Sequence, residues 1–144
     1  MLISTRGRYA LRILIDMAEH QGSEFIPLKA VAGRQDISEK YMENIVKPLV
    51  ASGLLTGIRG KGGGYRLGRA PEQINVKEVL ELMEGPLVPV ACLDPGASAK
   101  CPRMSGCRTL PMWKELNAAI DSCLSRYTIR DLMKAQEPGN DYVI

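Results

Sequence analysis

The chain has little to catalyse with. Its one histidine, His20, leaves no base around which a Ser/His/Asp constellation can be assembled. No Cys-x-x-Cys pair occurs among Cys92, Cys101, Cys107 and Cys123, so neither a standard zinc finger nor a dithiol oxidoreductase is supported. Runs of about 18 apolar residues, the length a spanning helix needs, are missing. So is the apolar stretch of a signal peptide over the first residues, and the simplest expectation is a cytoplasmic protein. Lys61 follows a glycine but precedes Gly62 rather than Ser or Thr, which excludes a Walker-type phosphate loop.

What is present is an uneven charge. Residues 1–69 carry 11 Lys/Arg against 6 Asp/Glu, and residues 70–144 carry 8 against 10, within an overall +3. An anionic partner would be drawn to the first half, although a solubilising surface gives the same count. Hydrophobic residues make up 45% of the chain, enough for a packed core.

Ala10, Ile13, Leu14, Met17 and Ala18 recur at helical spacing and predict a helix over about 5–20, capped by Ser4 or Thr5. Pro27, at a first-turn position, opens a short second helix through Leu28, Val31 and Ala32. Asp36-Ile37-Ser38 reads as a turn and N-cap, with Ile37 and Met42 spaced as a hydrophobic staple. The third helix then runs to about Ser52, bent in its last turn by Pro48. Two β-prone runs flank Gly60-Lys61-Gly62-Gly63-Gly64 and predict a hairpin. A further helix covers about 76–84. Leu110, Trp113, Asn117, Ile120, Leu124 and Tyr127 follow a coiled-coil-like 3–4 spacing with one polar member, and Thr128 is placed to cap a last short turn.

Helix, helix, turn, helix and glycine-tipped hairpin is the order of a winged helix-turn-helix, and the fold expected is mainly α with a small β-hairpin wing and a long C-terminal helix. In such a head the N-terminal part of the third helix reaches base edges in the major groove. Ser38, Lys40, Tyr41, Glu43 and Asn44 occupy that part. Glu43 suits a cytosine amino group, and the others suit phosphates or bases. Arg59, Lys61 and Arg66 supply the wing with charge suited to a narrow minor groove, and Arg6, Arg8 and Arg12 are expected to add phosphate contacts. A plain helical core with a bland turn is the competing reading.

Residues 86–108 are rich in proline and glycine and hold Cys92, Cys101 and Cys107, with eight and five residues between them. Such a loop can fold three soft thiolates around an iron–sulfur cluster, zinc or copper(I), or can carry three free thiols. Cys123, beside the helical seam, is expected to be a buried structural thiol. His20, at a helix end, is expected to be a surface or capping residue.

With these stretches in hand, the sequence resembles the Rrf family of bacterial regulators, which includes the IscR, NsrR, RirA and CymR types. The residues that carry the resemblance are 4–12, the helix over 38–55, the wing over 59–67, residues 76–85 and the cysteine loop. It extends over nearly all of residues 1–133. The resemblance implies a homodimer held by the C-terminal helix, binding double-stranded DNA at a palindromic promoter site as a repressor or dual regulator. It also implies a [2Fe–2S] or [4Fe–4S] cluster on Cys92, Cys101 and Cys107, whose state tunes DNA affinity to iron, redox or nitric oxide status. Two departures leave the fourth ligand unassigned: Leu110 stands where the IscR type has histidine, and Arg8 where the NsrR type has aspartate. The CymR type lacks a cluster and acts through thiol redox or a protein partner in cysteine metabolism. A module that regulates a metabolic enzyme is the rival from another class.

The resulting division is a DNA-binding head over 1–85, a sensor loop over 86–108, a dimerisation helix and terminal turn over 109–136, and a tail over 137–144.

Overall fold

A computed structural model of the chain describes residues 1–133; the expected tail and the end of the terminal segment lie outside the described residues. α1 (Thr5–His20) starts where Ser4 Oγ accepts the Gly7 amide at 3.3 Å, and His20 closes it with Nδ1 2.8 Å from the Asp16 carbonyl. Its stripe of Ala10, Ile13, Leu14 and Met17 is fully buried and is the spine of the core. Burying each larger side chain of this kind contributes about 1.5–3 kcal/mol.

α2 (Leu28–Gln35) follows Pro27, which occupies the N-cap rather than the first helical position. Asp36 ends it in the left-handed conformation (φ 53°), a geometry that Asp tolerates better than most residues. The chain then drops Ile37 into the core, and Ser38 caps α3 (Glu39–Ala51) by accepting the Tyr41 amide at 3.2 Å. Met42, Ile45, Val46 and Leu49 form the buried stripe of α3. Pro48 lies inside the helix without ending it. The carbonyl it deprives of a donor belongs to Asn44, on the exposed side, where water can serve instead.

β1 (Leu55–Ile58) pairs antiparallel with β2 (Gly64–Leu67), from Leu55 opposite Leu67 to Ile58 opposite Gly64. A contact between single residues, invisible to periodicity, extends this hairpin. Ile26 pairs with Tyr65 through two backbone bonds of 2.7 and 2.8 Å, pinning the wing to the start of α2. Gly64 permits it: its φ is +151°, and a Cβ there would lie 2.3 Å from the Ile26 carbonyl oxygen. This glycine of the tip therefore serves the protein's own backbone.

A 3-10 turn (Pro71–Gln73) leads to α4 (Val76–Glu84), capped by Asn75 Oδ1 on the Lys77 amide at 2.9 Å. Irregular chain with two further 3-10 turns (Ala91–Leu93 and Met104–Gly106) connects it to α5 (Leu110–Arg126) and α6 (Ile129–Met133). The end of α5 is laced to the start of α4: Val76 N donates to Tyr127 O at 3.0 Å, and Ile129 N to Ile74 O at 2.9 Å. Ile129 is fully buried in the main core.

The seam predicted for α5 is helical from Leu110 to Leu124, with Tyr127 just past the helix end, yet none of its residues is buried within the chain. Leu124 packs on the small cluster of Val76, Leu80 and Leu87. Met112 and Leu116, which the 3–4 spacing does not mark, are 51% and 42% exposed. Cys123 is exposed within the single chain as well, so one copy does not supply the burial expected for its thiol. It sits on the side of α5 that lines an apolar recess with Met1, Ile3, Ala119, Ile120 and Leu124. Among the described residues, no helix is long and apolar enough to cross a membrane.

Candidate nucleic-acid interface

The helical period of α3 sorts its residues into two faces. With Met42, Ile45, Val46 and Leu49 turned inward, Lys40, Glu43, Asn44 and Lys47 form an exposed polar stripe, at whose start lie the exposed Ser38 and Tyr41. Tyr41 is not a free ring: Tyr9 meets it edge to face, with centroids 5.9 Å apart. The wing adjoins this surface, because Val46, Lys47 and Val50 of α3 line one groove with Gly57, Ile58, Arg59 and Tyr65 of the hairpin.

Internal partners separate the cations of the first half into two groups. Arg34 grips the buried Asp16 carboxylate with Nη2 on Oδ1 at 2.6 Å and Nε on Oδ2 at 3.0 Å, and Gln35 Nε2 adds a bond of 2.9 Å. Burial alone would push Asp16 up. The hydrogen bonds from Arg34 and Gln35, with the Arg34 and His20 charges, outweigh it and hold the carboxyl below its usual range. Arg12 bonds Gln35 through Nε at 3.1 Å and through a contact to the Gln35 carbonyl, and its guanidinium lies 4.8 Å from the Tyr9 ring centroid. Arg12 is thus engaged within the protein while remaining exposed. Arg66 stacks on Phe25 at 4.4 Å, and Arg69 pairs with Glu78.

The second group is uncommitted. Among the described residues, Arg6, Lys29, Lys40, Lys47, Arg59 and Lys61 have no ion pair or side-chain hydrogen bond, and Arg8 has only the Thr5 hydroxyl, at 3.0 Å. Lys47 was missed in the sequence; its signal is the step of three and four residues from Asn44 and Glu43 along one helix face.

The three loop thiols stand apart from this surface in kind. Cys101 is exposed, while Cys92 and Cys107 are half-buried. Cys107 Sγ lies 3.4 Å from Thr109 Oγ1 at the start of α5. The Thr109 hydroxyl, with the backbone amides of Thr109 and Leu110, lowers the Cys107 thiol from its ordinary value. As donors, three soft thiols on one loop fit an iron–sulfur group. As arranged, no group of three or more His, Cys, Asp or Glu side chains among the described residues is gathered to hold a metal, so the loop would have to close around one.

A family profile described as "Rrf2: Iron-dependent Transcriptional regulator" matches residues 3–135. The chain is 37% identical over 134 residues to the protein rrf2 of Nitratidesulfovibrio vulgaris, covering 93% of this chain and 88% of that one. It is 34% identical over 137 residues to the regulator IscR of Vibrio atlanticus, covering 95% and 78%. The solved structure of CymR, described as the global cysteine regulator of B. subtilis, superposes with a TM-score of 0.77 at 33% identity, over 95% of this chain and 99% of that one. The winged-helix head, the hairpin and the long helix after the loop are therefore those of a known regulator architecture, and this chain belongs to the Rrf2 family of transcriptional regulators.

Proposed function

We propose that the chain works as a homodimer that reads a palindromic DNA site with α3 and the wing, and that the 86–108 loop adjusts its affinity. The observation that carries this reading is the meeting of the exposed α3 stripe with the wing along one groove, where the cations lack internal partners. Ser38, Lys40, Tyr41, Glu43 and Asn44 are assigned to the major groove, Arg59 and Lys61 to the minor groove, and Arg6 and Arg8 to flanking phosphates. Arg66, stacked on Phe25, is assigned a phosphate at the edge of the wing. The second copy is supported by α5, a helix with no residue buried within its own chain, and by the apolar recess of about 310 Å³ beside it. Two-fold symmetry in the protein calls for two-fold symmetry in the site.

Within this reading Cys92, Cys101 and Cys107 are the residues that would hold an iron–sulfur cluster. One-electron exchange and sensitivity to oxidants and nitric oxide are what such a group supplies when bound. The chain's own part is to present thiolates, and Cys107 is prepared for that by the Thr109 hydroxyl and the backbone amides of Thr109 and Leu110. The same observation favours a second reading, a cluster-free thiol sensor of the CymR kind, in which Cys107 is the reactive group.

Selection from a randomised duplex pool tests the regulator. Recovery of a palindromic site is the expected result, and failure to enrich any sequence would remove the reading. Anaerobic purification with iron and sulfide analysis separates the two sensors. Stoichiometric iron and sulfide that disappear in the triple Cys92→Ser/Cys101→Ser/Cys107→Ser variant support the cluster. Colourless, iron-free protein after reconstitution supports the thiol sensor.

A further inference from the structure

We propose that the groove between α3 and the wing seats a phosphate of the DNA backbone, with Lys47 as a DNA-contacting residue, on the strand that borders the minor groove assigned to Arg59. The inference rests on the DNA-binding reading above and adds to it a residue and a defined subsite.

The starting point is the shape of the duplex. A recognition helix enters the major groove and a wing enters the minor groove, and the two grooves of B-form DNA are divided by a sugar–phosphate strand. Whatever lies between α3 and the wing must therefore face that strand. In this chain the space is a groove of about 280 Å³, lined by Val46, Lys47, Val50, Ile58, Arg59 and Tyr65.

Its chemistry matches the strand in both halves. Lys47 from α3 and Arg59 from the hairpin loop supply two positive charges from opposite walls, and no acidic residue lines the groove. Neither cation has an ion pair or side-chain hydrogen bond among the described residues, so neither must be released before it binds. Between them lies an apolar surface that the fold leaves open: Val50 is 37% exposed and Ile58 49% exposed. A deoxyribose presents an apolar face beside its charged phosphate, and Val50 with Ile58 offers a surface for it. A cationic rim over an apolar floor is a poor match for hydrophobic docking alone and a good match for one nucleotide of backbone.

Lys47 is also placed by the reading helix itself. It follows Glu43 by four residues and Asn44 by three, so it shares the α3 face assigned to base contacts and lies toward the C-terminal end of it. A phosphate held there would fix the depth and register of Glu43 and Asn44 in the major groove without itself reading sequence.

The test uses the full-length protein and the duplex recovered by the selection above, with single backbone phosphates replaced by uncharged methylphosphonates. The expected result is one position in each half-site where neutralisation weakens the wild type but leaves Lys47→Gln unaffected. Lys47→Gln should also lose less affinity between 50 and 200 mM salt, by about 3.5-fold for each phosphate that it no longer neutralises. Ile58→Ser should weaken binding with the salt slope unchanged. Wild-type binding with no position whose sensitivity depends on Lys47 would overturn the inference and leave the regulator reading standing. Protection of the groove by inorganic phosphate without such a position would instead assign it to a free anion and also overturn the inference. A wild type that binds no duplex would remove the regulator reading itself.

Discussion

Ser4 and Glu84 meet across 80 residues of sequence: Ser4 Oγ donates to Glu84 Oε1 at 2.5 Å, and the Ser4 amide donates to the same oxygen at 3.1 Å. The contact joins the start of α1 to the last residue of α4, where the chain leaves for the cysteine loop. It also places a carboxylate at the positive end of α1, where a helix dipole favours one. Ser4 does two jobs at once, since its oxygen accepts the Gly7 amide while its proton goes to Glu84.

Breaking the link between Ser4 and Glu84 should cost stability. Ser4→Ala removes both a helix cap and the bond to Glu84, an expected loss of about 1–2 kcal/mol. Gly7→Ala should cost less, because a Cβ there displaces only Glu84 Oε1, the movable end of a side chain, while alanine regains about 1 kcal/mol of helix propensity. Thermal unfolding checks both, and an unchanged Tm in Ser4→Ala would show that the link carries no stability.

Asp16 gives a dependence on acid. Its carboxyl is lowered in the folded state, so its contribution is complete above the unfolded carboxylate range, near 3.9, and is lost as pH falls through the folded value. Asp16→Asn should therefore lower stability at neutral pH by about 2–3 kcal/mol, less than for a fully enclosed pair because the Arg34 side chain is 35% exposed. The difference from wild type should narrow as the pH drops below about 4. Denaturant unfolding across pH measures it, and a pH-independent difference would contradict the assignment.

Arg6 and Arg12 lie on one helix, yet their substitution should have opposite effects. Arg12→Ala breaks the link to Gln35 and the stack on Tyr9, and is expected to lower stability by about 1 kcal/mol. Arg6→Ala should leave Tm unchanged and flatten the salt dependence of DNA binding, its logarithmic slope falling by about 0.9 for each phosphate left unneutralised. Unfolding curves and salt titrations on both variants decide it; a flattened slope in Arg12→Ala alone would reverse the roles.

Cys107 should be the fastest thiol in the cluster-free protein. The Thr109 hydroxyl, followed by the backbone amides of Thr109 and Leu110, favours its thiolate, so iodoacetamide at neutral pH should modify Cys107 ahead of the exposed Cys101. Thr109→Val should slow Cys107 several-fold without changing Cys123. Mass-mapped alkylation rates give the answer, and equal rates at Cys101 and Cys107 would remove the reactive-thiol reading.

Much of the architecture was legible in the sequence because its signals are local. Ser4, Ser38 and Asn75 cap the helices that follow them, buried stripes repeat at helical spacing, and the glycines of the wing mark the turn between β1 and β2. The exposed face of α3 could be read for the same reason, since one period assigns inward and outward positions together. What the sequence by itself could not settle depends on partners distant along the chain. Arg12 and Arg59 are the same residue type, and only the packing of α1 against α2 commits the first to Gln35 while the second stays unpaired. Gly64 reads as a flexible tip until Ile26 is brought against it, and only the path of α5 along α4 shows that its own chain leaves Cys123 uncovered. Helical period and caps are set by neighbours a few bonds away. Charge pairing and exposure are set by whichever surfaces the folded chain brings together, and for this protein the tertiary structure alone chose which cations found partners within the chain.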